Sequence, residues 1–189
     1  SAPEDELSSC SDLLRSTVFR VVLWLLSLLA LLGNTGVFVY RVFLEVRGTS
    51  TGFRVLVANL CMSDFLMGAY LMMIGSADAQ YRGEYLWKQP EWTDSVLCQT
   101  AGFLALLSSE VSAFTICLIT LDRLIVLRFP LKRHIHLTAR SAMMTCGAVW
   151  LMGVVLAIVP LLPLTGEWKF YSQNGICLPL PITRHDFPG

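Results

Sequence analysis

CQTAGFLALLSSEVSAFTICLITLDRLIVLRFP, residues 98–130, reads as one helix that crosses a membrane. At 1.5 Å per residue the 25 steps from Cys98 to Arg123 cover about 37 Å, slightly more than a hydrocarbon core of about 30 Å. One end therefore reaches each membrane face. Phe103, Leu104, Leu106, Leu107, Val111, Phe114, Ile116, Leu118 and Ile119 lie between, and Glu110 is the only carboxylate before Asp122. A carboxylate at that depth is costly unless it faces protein or water, so the helix must pack inside a bundle. It begins with a cysteine at one surface and ends with an Asp122-Arg123 pair at the other.

The rest of the chain agrees with a bilayer. Of its 189 residues 54% are hydrophobic and 15% charged, and the mean hydropathy is +0.61, above the usual balance of a soluble domain. The expected fold is all-α, with spans at about 18–40, 55–74, 98–127 and 143–164. The zero net charge conceals an asymmetry. The connections after spans one and three hold eight basic residues, Arg41, Arg47, Arg54, Arg123, Arg128, Lys132, Arg133 and Arg140, against Glu45 and Asp122. The opposite side carries six basic and ten acidic residues. A basic excess in short loops marks the cytoplasmic side, so the N-terminus is expected outside.

Cys61, Cys117 and Cys146 fall within spans, where a thiol is a small apolar group. Cys10, Cys98 and Cys177 fall outside, where oxidation is permitted. Three is odd, so one of them is free or needs a partner from beyond this chain. No Asn-x-Ser/Thr acceptor occurs and SAPEDELSSC is too acidic for a cleavable signal. The chain is expected to begin partway through a longer protein.

In chain order, residues 1–17 form an acidic external segment. Span one contains Gly33-Asn34, and an amide in apolar surroundings should face neighbouring helices. Span two, VLVANLCMSDFLMGAYLMMI, puts Asn59, Ser63 and Asp64 on one polar face. Tyr81, Tyr85, Trp87 and Trp92 follow in a polar stretch and are expected to anchor at the outer interface. Pro130 ends the third helix, and LKRHIHLTAR makes a cytoplasmic loop. Span four holds Trp150 in mid-membrane, with Pro160 and Pro163 near its outer end. Residues 165–189 form an outer loop with Cys177.

Each feature alone has a structural explanation, but together they have the spacing of a family. Gly33-Asn34, Asn59-Leu60 followed by Asp64, Cys98 placed 25 residues before Arg123, Asp122-Arg123-Leu124, Pro130, Trp150 and Cys177 resemble the rhodopsin-like G-protein-coupled receptors. The resemblance implies the first four spans of a seven-helix bundle in the plasma membrane, coupled to a heterotrimeric G protein. It implies a Cys98–Cys177 bridge, which leaves Cys10 for a partner beyond the chain. It makes Asp64, with Asn34 and Asn59, an intramembrane polar network and sodium-linked carboxylate, and no other cofactor is expected. It makes Asp122-Arg123 the activation switch: while closed the cytoplasmic crevice is shut, and opening frees a guanidinium for a partner's backbone carbonyls. Where the family carries tyrosine after the arginine, this chain has Leu124. Where a small-amine receptor would have its ammonium-binding aspartate, it has Ala105.

A finer likeness exists within that family. MSDFLMGAYLMMIGSADAQYRGEY, then AGFLALLSSEVSAFTICLITLDRL with Glu110 inside it, and EDELSSC before span one are similar to receptors with a leucine-rich-repeat ectodomain. The resemblance implies a peptide or protein hormone, relaxin-like or glycoprotein-hormone-like, as ligand. Tyr81-Arg82-Gly83 and Ser109-Glu110-Val111-Ser112 favour the relaxin branch.

The rival readings lack their signatures. A four-span channel or transporter subunit should line a pore with polar residues on several spans or break matching helices, and spans one and four offer little of either. A membrane organiser of the tetraspanin kind needs a cysteine-rich outer loop after span three, which here would lie inside. No nucleophile, base and orienter set marks an enzyme, and His134 and His136 lack acidic or Cys companions for a metal. Nothing calls for nucleic acid.

Overall fold

The computed structural model describes residues 12–14, 16–44, 51–129, 137–162, 171 and 175–178. Pro130, Cys10, His134, His136 and the EDELSSC segment lie outside them. Helix α1 runs Thr17–Val39 and continues as a π-helical turn, Tyr40–Leu44. Helix α2 runs Thr51–Gln80, the short α3 Tyr85–Thr93, α4 Val96–Arg128 and α5 Ala139–Ile158, ending in a 3-10 turn, Val159–Leu161. Four of these are long and apolar enough to cross a membrane, with mean hydropathies from 1.6 to 2.2.

Local chemistry fixes the ends. Ser95 caps α4 by accepting from the Cys98 amide at 3.1 Å, and Thr138 caps α5 by accepting from Ser141 at 3.2 Å. Pro160 sits in the closing turn of α5, where the freed backbone carbonyl is tolerated. Helix α2 differs most from its expected bounds of 55–74. It continues through the polar stretch to Gln80, because Ile74, Gly75, Ala77 and Asp78 are buried under other segments and do not project into water.

Helix α2 is central, packing on α1 at one side and on α4 and α5 at the other. In a bilayer the lipid competes with apolar side chains, so close backbone approach and interhelical hydrogen bonds hold helices together. Both occur between α1 and α2. Gly68 has room for no more than hydrogen, since a Cβ there would lie 3.0 Å from Ala30 and Leu31, and the fully buried Ser27 donates to the Gly68 carbonyl at 3.2 Å.

Apolar packing forms three layers. At the Cys98 end, Leu13, Tyr70, Ile74, Tyr85 and Trp92 pack around Cys98 and Cys177. In the middle, Leu107 and Val111 of α4 meet Val149 and Ala157 of α5. At the Arg123 end, Leu56 packs on Ala142 and Cys146. Gly102 ties the first layer to the chain after α5: a Cβ there would lie within 2.7 Å of the Tyr171 ring and against the Cys177 carbonyl. Gly102→Ala should therefore cost about 1–3 kcal/mol. Gly147→Ala, with nothing within 4 Å, should be neutral or slightly stabilising. Unfolding of the two variants in the same micelles checks this, and equal stabilities would contradict the packing described.

Candidate functional site

Three groups of polar residues are strung along the bundle. At the Arg123 end of α4, Asp122 is only 7% exposed. Its Oδ2 accepts from Arg123 Nη2 at 2.8 Å. The Asp122 carboxylate is inside and the arginine, at 40% side-chain exposure, reaches the surface. Leu124 is 60% exposed. The guanidinium also lies over the Phe53 ring of α2, its Cζ 3.7 Å from the centroid. Its Nε is buried with no hydrogen-bond partner among the described residues.

The middle group divides what the sequence joined. Asp64 Oδ1 accepts from Ser112 of α4 at 2.7 Å, and the Ser112 and Ser63 hydroxyls are 2.8 Å apart. Ser108 donates to the Ser63 carbonyl at 2.8 Å, closing a polar seam between α2 and α4. Asn59 turns instead toward α5, where its Oδ1 accepts from Trp150 Nε1 at 3.1 Å. Asn34 donates to Ala30 in its own helix at 2.8 Å. The expected network of Asn34, Asn59 and Asp64 is thus corrected to two separate links and a local bond. An amide on a helix can satisfy itself on the carbonyl four residues back, which removes the need for a distant partner. Glu110 is half-buried one residue from Val111, in the same part of α4.

At the Cys98 end, a disulfide joins Cys98 and Cys177, with Cα atoms 5.4 Å apart and neither residue exposed. Cys177 has φ 55°, in the left-handed region that a non-glycine residue occupies only when its surroundings hold it there. Those surroundings are present. Tyr70 donates to the Ile176 carbonyl at 2.8 Å, Trp92 Nε1 to Gly175 at 2.7 Å, and Tyr171 to Ala157 of α5 at 2.9 Å. Burial pushes the Tyr171 phenol up to about 12, so it remains a hydrogen-bond donor.

Two findings change the reading of this end. Tyr85 and Trp92 are not interface anchors: both are buried beneath the Cys177 segment, whereas Trp87 is 84% exposed. In addition, Asp78 of α2 is fully buried and paired with Arg20 of α1, whose guanidinium donates to both carboxylate oxygens. The same carboxylate accepts from the Leu14 amide at 2.9 Å, and Arg20 Nη2 reaches the Leu14 carbonyl at 3.3 Å and Asp12 at 3.7 Å. Asp12 in turn accepts from the Gly83 amide at 3.1 Å. A clamp of two carboxylates and one arginine thus fastens the chain before α1 to α2. Sequence reading missed it, although Arg20 is the one charge in an otherwise apolar first span, and such a charge calls for a partner.

The sequence matches the 7 transmembrane receptor (rhodopsin family) over residues 33–186. It is 43% identical over 189 residues to the G-protein coupled receptor GRL101 of Lymnaea stagnalis, covering 100% of this chain and 17% of that protein. It is 34% identical over 176 residues to relaxin receptor 2 of Homo sapiens, covering 93% of this chain and 23% of that protein. With the thyrotropin receptor of Canis lupus familiaris it shares 38% over 178 residues, covering 93% of this chain and 22% of that protein. The chain therefore spans about a fifth of the length of these relatives, and identity does not separate the relaxin from the glycoprotein-hormone branch. The helices, the intramembrane carboxylate, the Asp122-Arg123 pair and this match agree: the chain belongs to the rhodopsin family of seven-transmembrane receptors.

Proposed function

We propose that this chain supplies spans one to four of a plasma-membrane receptor that passes a peptide or protein hormone signal to a cytoplasmic heterotrimeric G protein. The ectodomain that takes the hormone, of the leucine-rich-repeat kind, and three further spans complete it. The N-terminus and the Cys98 end lie outside, in keeping with the basic excess near Arg123. The observation that carries the reading is the Asp122-Arg123 pair: a buried carboxylate holds a half-exposed arginine at the end of the span opposite the disulfide. Opening it presents a guanidinium, with five donors, to the carbonyls of a docking partner. The likeness to relaxin receptor 2 and to the thyrotropin receptor supports a hormone of those two kinds. Asp64, with the hydroxyls of Ser63 and Ser112 beside it, offers the hard oxygen donors that a sodium ion takes, and we assign it that role.

The test is a chimera in which this chain replaces the matched segment of human relaxin receptor 2. The chimera should drive hormone-dependent nucleotide exchange on a G protein, whereas the 189-residue chain alone should drive none, since four spans do not enclose a crevice. A chimera that reaches the surface and binds hormone without exchange would overturn the reading, as would exchange by the purified chain alone.

A further inference from the structure

Arg123 is held from two sides, and only one of them belongs to its own helix. Asp122 takes one nitrogen. The guanidinium carbon, Cζ, lies over the ring of Phe53, on the first turn of α2, 3.7 Å from the centroid. That is well inside the range of about 6 Å over which a ring's negative face attracts a cation, and arginine is the usual cation. Nε of the same guanidinium is buried and finds no hydrogen-bond partner among the described residues, so the ring contact is the second restraint on the group beside the bond to Asp122.

The ring is placed there by its neighbours in sequence. Gly52 is buried against the Leu137 backbone so closely that a Cβ would collide with the Leu137 carbonyl. Arg54 donates to the Arg41 carbonyl at 2.8 and 3.1 Å. The residues on both sides of Phe53 are thus anchored, one to the segment before α5 and one to the end of α1. Arg41 also approaches the same ring, at 6.0 Å, the edge of the useful range.

We propose that Phe53 is a positioning residue for the switch, holding Arg123 closed against Asp122 from the neighbouring helix. Release of the arginine then requires the ends of α2 and α4 to part. The inference rests on the reading of Asp122-Arg123 as the switch toward a G protein, and it adds a second, cross-helix restraint to it.

The experiment uses the relaxin receptor 2 chimera, with variants compared at equal surface expression and hormone affinity. Phe53→Leu keeps most of the volume and loses the ring's charge distribution, so ligand-free nucleotide exchange should rise about two- to fivefold, the strength of a partly exposed cation–π contact. Phe53→Tyr keeps an aromatic face and should stay at the starting level, which a purely volumetric role would not distinguish from leucine. Asp122→Asn is the internal reference. If Asp122→Asn raises ligand-free exchange and Phe53→Leu does not, or if Phe53→Tyr behaves as leucine does, the positioning role is wrong and the switch stands. If Asp122→Asn has no effect either, the switch reading falls and the inference with it.

Discussion

Asp122→Asn in the chimera should raise ligand-free nucleotide exchange about tenfold, with hormone affinity unchanged. The estimate follows from the pair's geometry. A charge-assisted hydrogen bond contributes about 1.5–3 kcal/mol, and every 1.4 kcal/mol shifts a two-state equilibrium about tenfold. The amide keeps the shape of the acid and can still accept, so the loss sits toward the lower bound. Asp122 is only 7% exposed but the Arg123 side chain is 40% exposed, so solvent screens the pair in part and its worth lies above that of a fully exposed pair of about 0–1 kcal/mol. An unchanged rate would mean that the pair is merely structural.

The largest effect on stability belongs to the clamp at the opposite end. Arg20→Ala leaves the Asp78 carboxylate, with no exposed surface, with the Leu14 amide as its one remaining partner among the described residues. Breaking a buried pair from one side costs about 3–5 kcal/mol because an uncompensated charge stays inside. Asp78→Ala should cost less, about 2–3 kcal/mol on the same scale, since Arg20 is 15% exposed and keeps Asp12 at 3.7 Å. Replacing both, as Arg20→Met with Asp78→Leu, should recover most of the loss, because apolar residues of similar volume leave no charge behind. Denaturant unfolding of the four proteins in one micelle system reads this directly. A double variant no more stable than Arg20→Ala would contradict the pairing.

What could be read in the sequence was whatever a single helix determines. The 25-residue separation of Cys98 and Arg123 places them at opposite faces by rise per residue alone, and the cysteine bridge and the Asp122-Arg123 contact follow the family resemblance. What could not be read was the rotation of one helix against another. Asn34, Asn59 and Asp64 are all half-buried, yet they take partners on three different elements, Asn34 on its own helix. The contacts of Ser112 with Asp64 and of Phe53 with Arg123 are hidden for the same reason: each crosses a helix boundary, and a serine or a phenylalanine carries no local sign of that. Helix α2 runs past its expected end at 74 because Arg20 and the segment before α1, not solvent, take up the polarity of Asp78.

The restraints at the two ends have different strengths, which suits a receptor. The disulfide and the Arg20–Asp78 clamp fix the Cys98 end covalently and by buried charge. At the Arg123 end, Arg123 itself is held by one charge-assisted hydrogen bond and one ring contact among the described residues. Movement should therefore start at the weaker end, where few buried interactions must be broken.

Arg123→Ala in the chimera tests the central claim most directly. With surface expression and hormone binding at the levels of the unaltered chimera, hormone-driven nucleotide exchange should fall at least tenfold, because the guanidinium proposed to meet the G protein is gone. Exchange that persists at the unaltered rate would contradict the account, and Arg123 would then be no more than a solvated charge at a helix end.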